Sequence, residues 1–371
     1  MSAQLQVLIE DDEHELSAFV VVDSLQDGRA MGGTRMTGTV TPGEVAGLAR
    51  RMTQKLALAD VPIGGAKAGI VCGLPPGPER DHRLEAFGRA IAPLLHGGVY
   101  LGSDQGISHR DRDVFFASAG YDVCTEPAVA GIGCPWPELW RRCRYVTGFG
   151  ICEGISAAVD SGLLAGDGTV AVQGFGAVGR GVAGGLAERG LRVVAVADRY
   201  GTLSSPGGLP LAEVMAATDD HGTVDRAALP AGVGTDSEPE AWLDVDADLL
   251  VLAAGGDAVH AGNADRVRAR LVAEGGNYSC TAEAHRLLAA RGVPVLPDFV
   301  VNVGAAAVTG LMLTGAAPVA KPLDEVVAWL HDQVRTRIRR NVVRLLDLDP
   351  ARQRPLIELA EDLVAKLTAQ R

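Results

Sequence analysis

At 371 residues, 47% hydrophobic and 22% charged, the chain is long for one core and reads as a globular protein of two domains. Its 34 basic and 46 acidic side chains give a formal charge of −12, which argues against nucleic acid or an anionic membrane as the main partner and leaves room for a local basic pocket. The N-terminus is acidic, unlike a signal peptide, and no apolar run is long enough to cross a bilayer. The cysteines at 72, 124, 134, 143, 152 and 280 form no C-x-x-C pair and show no zinc-ligand spacing, so free thiols in a cytoplasmic protein and no metal are expected.

In chain order, LQVLI (5–9) and AFVVVDSL (18–25) read as strands before the turn DGR. Residues 43–59 read as a helix, with Val45, Leu48, Met52 and Leu56 on its apolar face. The segment VPIGGAKAGIVCG (61–73) follows, where Lys67 stands among glycines and apolar residues and runs into a strand-like AGIVCG. An ammonium buried there is costly unless it is paired or its chemistry is used. Residues 81–96 are helical in pattern, and VYLGSDQG (99–106) is a short strand and turn carrying Asp104. Two prolines and two glycines in GIGCPWPEL (131–139) suit a hinge.

Beyond the hinge, a helix over 148–161 leads to the strand TVAVQ, a helix over 177–188 and the strand LRVVAVAD. The polar stretch 218–246 is expected to cross between halves of a sheet, and DADLLVL, ARLVAEGGN and VPVLPDFVVN supply later strands. Continuous apolar strands alternating with helices mean a parallel sheet covered on both faces. Near the end, Val326, Leu330, Val334, Ile338 and Val342 lie four apart on one face of an amphipathic helix.

VQGFGAVG carries G-x-G-x-x-G as Gly174, Gly176 and Gly179, with Ala177 and Val178 between the last two. It follows a strand and opens a helix, as a dinucleotide loop must: one glycine for the turn, one for the pyrophosphate, one for helix packing. Asp198 ends the next strand about 20 residues on, where a carboxylate takes both ribose hydroxyls and repels a 2′-phosphate; NAD is expected. Arg199 beside it is the residue that could instead pair with that phosphate. Asn277 and Asn302 are read as polar ends of two further strands, where open α/β sheets bind ligands. GGAKAG is no phosphate loop: no Ser or Thr follows the lysine and the glycine spacing is wrong.

The segments AMGGTRM (30–36), MTQKLALADVPIGGAKAGI (52–70), SDQG (103–106), VTGFG (146–150), VQGFGAVG (172–179), EGGN (274–277) and PDFVVN (297–302) occur in this order and resemble the glutamate/leucine/phenylalanine/valine dehydrogenase superfamily. The resemblance implies an α/β fold of two domains. An N-terminal α/β substrate and oligomerisation domain would cover 1–138, with C-terminal helices over 320–371 returning to it. A Rossmann-type domain would cover 139–319, with substrate in the cleft between. It implies reversible oxidative deamination of an L-amino acid to a 2-oxo acid and ammonia, and a homo-oligomer. Lys67 would be the catalytic lysine and Asp104 the proton carrier. Lys55 would pair with the substrate α-carboxylate, helped by Asn302, and Thr147 would lie near the nicotinamide amide. Glutamate-specific members carry a lysine just before the paired glycines of their GG-x-R motif; here Met31 precedes Gly32 and Gly33, so an apolar substrate is expected. The alternatives are a glutamate enzyme with a relocated cation and a non-catalytic dinucleotide-binding homologue. Val303, Gly304, Ala305 and Ala306 depart from the family's A-G-G, and an unusual amino acid would fit that difference.

Overall fold

The computed structural model describes residues 4–126, 129, 136–352 and 354–369; half of the hinge segment lies outside them. The chain forms two compact units, Met1–Cys143 with Ala306–Leu330, and Arg144–Ala305 with His331–Arg371.

The first unit holds β1 (Leu5–Asp11), β2 (Leu16–Val22), β3 (Ala30–Thr37), α1 (Pro42–Leu58), β4 (Gly64–Val71), α2 (Pro78–His96), β5 (Val99–Ser103), α3 (His109–Ser118) and α4 (Trp136–Arg142). Its sheet runs β1-β2-β4-β3-β5, with β3 parallel to both β4 and β5 and the rest antiparallel. Thr41 starts α1: its hydroxyl accepts the Glu44 N–H at 3.2 Å, and Pro42 occupies the first helical position. α1 packs hard against β4, which explains the glycines there. A Cβ on Gly65 would lie 2.2 Å from the Thr53 nitrogen, and one on Gly69 would lie 2.6 Å from Val45 Cγ2. Lys67 is therefore in the middle of a buried strand, not in a loop preceding one. Bringing α1 this close requires β4 to lack side chains on that face.

The second unit holds α5 (Val146–Asp160), β6 (Thr169–Gln173), α6 (Ala177–Ala187), β7 (Arg192–Asp198), β8 (Gly201–Ser204), α7 (Leu211–Ala216), β9 (Gly234–Asp236), β10 (Leu249–Leu252), β11 (Leu271–Glu274), α8 (Ala282–Ala290), β12 (Val295–Leu296) and α9 (Asp298–Val301). The sheet order is β12-β11-β10-β6-β7-β8-β9. It is parallel from β12 to β7, as the apolar runs require. β8 and β9 add antiparallel strands that the sequence did not announce. The stretch 218–246 thus does more than connect: it contributes β9 and, as described below, donors to Asp198.

Three helices close the chain: α10 (Gly304–Leu313), α11 (Leu323–Leu348) and α12 (Leu356–Ala369). The stripe of Val326, Leu330, Val334, Ile338 and Val342 is fully buried, as its spacing predicts. Its later part belongs to the second unit, not to the first as the return of residues 320–371 would require. The reason is local packing. Val334 and Ile338 fit against Gly150 on α5, and Ile338 also meets Gly154. Arg335 and Arg339 pair with the buried Glu153 at 3.6 and 3.5 Å, and the Phe149 and His331 rings meet at 5.0 Å. No described helix is long and apolar enough to cross a membrane.

Candidate active site

In the first unit the parallel register of β3 with β4 and β5 gathers three side chains that are far apart in sequence. Lys67 on β4 places Nζ 3.0 Å from Asp104 Oδ2, just past the end of β5. Arg35 on β3 donates through Nε to the same oxygen at 3.0 Å and through Nη1 to Glu44 at 2.6 Å. The Lys67 side chain is 5% exposed, Arg35 14% and Asp104 22%, so the carboxylate is the member of the cluster most open to a ligand. Burial pushes the Asp104 carboxyl up, but the Lys67 ammonium and the Arg35 guanidinium more than offset it and hold the group below the usual carboxylate range. At neutral pH the site therefore presents an ionised carboxylate held between the Lys67 amine and the Arg35 guanidinium.

Glycine makes room for this pair. A Cβ on Gly33 would lie 3.0 Å from Asp104 Cβ and 3.3 Å from Lys67 Nζ; one on Gly32 would sit 1.7 Å from the Ala66 carbonyl oxygen. Gly106, at φ +80°, turns the chain directly after the Asp104 loop, and its Cβ would strike the Met36 carbonyl oxygen at 1.9 Å. Met31 precedes these glycines on β3 and is 3% exposed. Its sulfur faces Gly310 on α10, where an added Cβ would lie 3.5 Å from Sδ, with Leu56 and Val61 alongside. Lys55 is buried in the last turn of α1. Sequence reading missed Arg35 as a site residue, although it stands in the quoted AMGGTRM; only the β3–β5 pairing reveals its reach to Asp104, 69 positions on.

In the second unit the dinucleotide loop has the three-glycine geometry. Gly174 has φ +89° and no room for a side chain, since a Cβ would lie 2.7 Å from the Ala253 carbonyl carbon. Gly179 packs α6 onto the loop so closely that a Cβ would sit 1.9 Å from the Gly174 carbonyl oxygen. Gly176, which caps α6, has nothing within 4 Å of its absent Cβ and no side-chain cap on its helix. Backbone N–H groups at Ala177 and Val178 then open α6, which is the arrangement that holds a pyrophosphate. Gly179→Ala should cost about 1–3 kcal/mol of stability through overpacking and weaken dinucleotide binding at least ~10-fold. Calorimetric titration checks this; unchanged affinity would contradict the assigned role.

Asp198, which the sequence assigns to ribose hydroxyls, already has partners on both oxygens in this structure. Arg226 grips them with Nη1 and Nη2 at 2.5 Å each, the Tyr200 N–H donates at 2.8 Å and the Val224 N–H at 2.8 Å. The side chain is 3% exposed. Burial raises its carboxyl, and Arg226 with the two backbone donors brings it below the ordinary value. Arg199 is exposed, its guanidinium 5.1 Å from the Tyr200 ring centre, with Arg226 at 5.9 Å from the same ring. Arg226 is thus a second residue the sequence reading missed.

Asn302 is also not a strand end: β12 stops at Leu296, α9 follows, and Asn302 is its C-cap. Its amide donates to the Gly275 carbonyl, tying it to the loop that carries Asn277. Thr147 lies in the first turn of α5 against Gly304, whose Cβ would come 3.0 Å from Thr147 Cα. Of the departures at 303–306, Gly304 keeps the one position where a side chain could not be accommodated.

Comparison with known proteins agrees with both halves. Residues 142–350 match the Glutamate/Leucine/Phenylalanine/Valine dehydrogenase family, and residues 2–116 match the Glu/Leu/Phe/Val dehydrogenase dimerisation domain. The chain is 35% identical over 312 residues to glutamate dehydrogenase of Thermotoga maritima, covering 81% of this chain and 73% of that one. It is 33% identical over 326 residues to glutamate dehydrogenase A2 of Halobacterium salinarum, covering 84% and 75%. Among solved structures, the hetero-hexameric glutamate dehydrogenase of Thermus thermophilus in its Leu-bound form matches with a TM-score of 0.79 at 28% identity, over 98% of this chain and 88% of that one. L-tryptophan dehydrogenase of Nostoc punctiforme shares the fold, with a TM-score of 0.66 at 22% identity over 100% and 97%. The chain belongs to the glutamate/leucine/phenylalanine/valine dehydrogenase family and is an amino acid dehydrogenase of the oxidoreductase class.

Proposed function

We propose that this enzyme catalyses the reversible, NAD-dependent oxidative deamination of an apolar L-amino acid of the valine, leucine or phenylalanine kind, or a nonstandard analogue, to its 2-oxo acid and ammonia. The single observation that carries the reaction type is the buried Lys67–Asp104 pair at 3.0 Å. A bound nicotinamide ring supplies the hydride acceptor, with Gly174, Gly176, Ala177, Val178 and Gly179 for the pyrophosphate and Thr147 and Asn277 towards the nicotinamide end. Asp104, already ionised, accepts a proton from the substrate ammonium so that the Cα–H bond can be broken with the amine neutral. Lys67, having released its ammonium proton to solvent, takes a proton from a water molecule as it attacks the substrate imine. Asp104 then returns its proton to nitrogen, and as ammonia leaves, the carbinolamine hydroxyl gives its proton back to Asp104 and becomes the ketone. Arg35 remains on Asp104 throughout, fixing its orientation. Lys55 and Asn302 are assigned to the substrate α-carboxylate.

The apolar preference rests on Met31. A glutamate side chain directed at this buried thioether would lose its counter-charge, which is worth several kcal/mol, on the order of 3–5. A glutamate enzyme with a relocated cation is the second reading, favoured by the names of the relatives at 31–35% identity. A spectrophotometric panel of L-amino acids decides between them. Valine, leucine or phenylalanine should exceed glutamate, and Met31→Lys should shift activity towards glutamate; glutamate far ahead in the wild type would overturn the apolar reading.

For the cofactor, NAD is favoured by the acidic end of β7, because ribose hydroxyls can exchange for the Arg226 fork on Asp198. Against it, Arg226 cancels that charge and Arg199 is exposed beside it, which favours NADP. The expected result is a kcat/KM about tenfold or more higher with NAD, widening further in Arg226→Ala as the freed carboxylate repels a 2′-phosphate. A wild-type preference for NADP that disappears in Arg226→Ala would establish the other cofactor. A homo-oligomer is proposed from the dimerisation-domain match and the hexameric relative, and a cytoplasmic location from the five described cysteines, all free thiols.

A further inference from the structure

Below the Asn277 loop lies a polar cluster that the reaction does not use. Glu274 ends β11, Cys280 lies in the following loop and His285 sits on α8. They are 1%, 4% and 1% exposed, and their ligating atoms all lie within 4.8 Å of one another. Glu274 is held from behind: Oε1 accepts the Cys280 N–H at 2.7 Å and Oε2 accepts the Asp298 N–H at 3.1 Å. Among the described residues no lysine or arginine pairs with it. Among the described residues, the basic side chain beside it is His285, whose Nε2 stands 3.3 Å from Oε2. That approach is not a hydrogen bond: both ring nitrogens of His285 are buried without a hydrogen-bond partner.

A buried carboxylate needs a compensating charge, and an imidazole with two idle nitrogens is rare inside a protein. One divalent cation would satisfy both. We propose that Glu274, Cys280 and His285 form a metal site for a transition-metal dication of zinc type, with a water as fourth ligand. Mixed O, S and N donors suit such an ion, whereas magnesium and calcium take oxygen donors alone. The backbone N–H groups on Glu274 are the outer contacts that orient a metal-bound carboxylate. A separate cavity of about 20 Å³ lies on the far side of His285, lined by Ala289, Pro294, Val295, Arg354 and Leu356 and not by Glu274 or Cys280; the fourth ligand is not drawn from it. Binding displaces the Cys280 thiol proton to solvent, with no change of oxidation state. The spacing E-x5-C-x4-H resembles no common zinc motif. The three ligands converge only because β11 ends beneath the start of α8. Bound metal would brace the strand end that leads to Asn277, a structural role separate from the hydride chemistry.

Chelator-stripped wild-type protein titrated with Co(II) alone is the test. The expected result is one equivalent bound with a thiolate-to-cobalt charge-transfer band and strong tetrahedral d–d bands, both displaced by Zn(II). Cys280→Ser should abolish the charge-transfer band, and His285→Gln should weaken binding at least ~10-fold. Should either variant fail to fold, the wild-type spectrum still decides. Folded wild type that binds no cobalt, binds it without a thiolate band, or keeps that band in a folded Cys280→Ser variant overturns the site. Amino acid turnover is not part of the readout, so failure here leaves the dehydrogenase reading untouched.

Discussion

Lys67→Ala should lower kcat by about 10³–10⁴-fold while leaving dinucleotide affinity unchanged. The residue is 5% exposed at the centre of β4, and its amine contacts Asp104 directly. Without it, nothing at that point removes a proton from the attacking water, so the substrate imine waits for uncatalysed hydration. The fold should survive. Asp104 keeps Arg35 at 3.0 Å as its second cation, and alanine is tolerated in β4, which already carries Ala66 and Ala68. The dinucleotide loop lies wholly in the other unit, so calorimetric titration with cofactor alone should return the wild-type value. Kinetics of the variant with the wild-type substrate check the first half; a kcat within tenfold of wild type would remove Lys67 from the chemistry.

Asp104→Asn should also damage turnover, by about 10²–10⁴-fold, and should cost stability as well. The amide has no charge to set against Lys67, while Arg35 keeps Glu44 at 2.6 Å; losing the carboxylate from the buried Lys67 amine costs roughly 3–5 kcal/mol, less the part that solvent recovers at a 22% exposed side chain. The pH dependence is specific. In the folded protein the Asp104 carboxyl is held below its ordinary value, and therefore below its value in the unfolded chain. Its contribution to stability is complete above the unfolded value of about 3.9 and is lost as pH falls through the folded one. Chemical denaturation of wild type and variant should therefore differ most at neutral pH and converge in acid. A gap that stays constant down to low pH would mean that the carboxylate charge is not what stabilises the site.

How much of this was written in the sequence depends on the reach of each interaction. The glycine loop was legible because its three residues act within six positions and each has a local steric reason. The buried stripe on α11 was legible because helical periodicity is local too. Arg35 was quoted within its motif yet given no role, since its contact is set by strand order. The sheet order β4-β3-β5 places residues 35, 67 and 104 side by side, and no sequence pattern encodes that order. Asp198 was found, but its partners were not, for the same reason. Its ribose role follows from position along one βαβ unit, whereas Val224 and Arg226, which hold it in this structure, come from a polar stretch that reads as a connector. Asn302 was found through its motif but placed on a strand, because PDFVVN is β-like in composition while Asp298–Val301 folds as a short helix.

One amine and one carboxylate, 3.0 Å apart, are proposed to carry out oxidative deamination. The most direct test of that proposal is the simultaneous measurement of reduced nicotinamide and free ammonia, with wild type and Lys67→Ala assayed side by side across the apolar L-amino acids. Wild type should release the two products in equal amounts from at least one of these substrates, and the variant should release neither at a measurable rate. Reduced cofactor without ammonia in the wild type, or equal product release by both proteins, would contradict it.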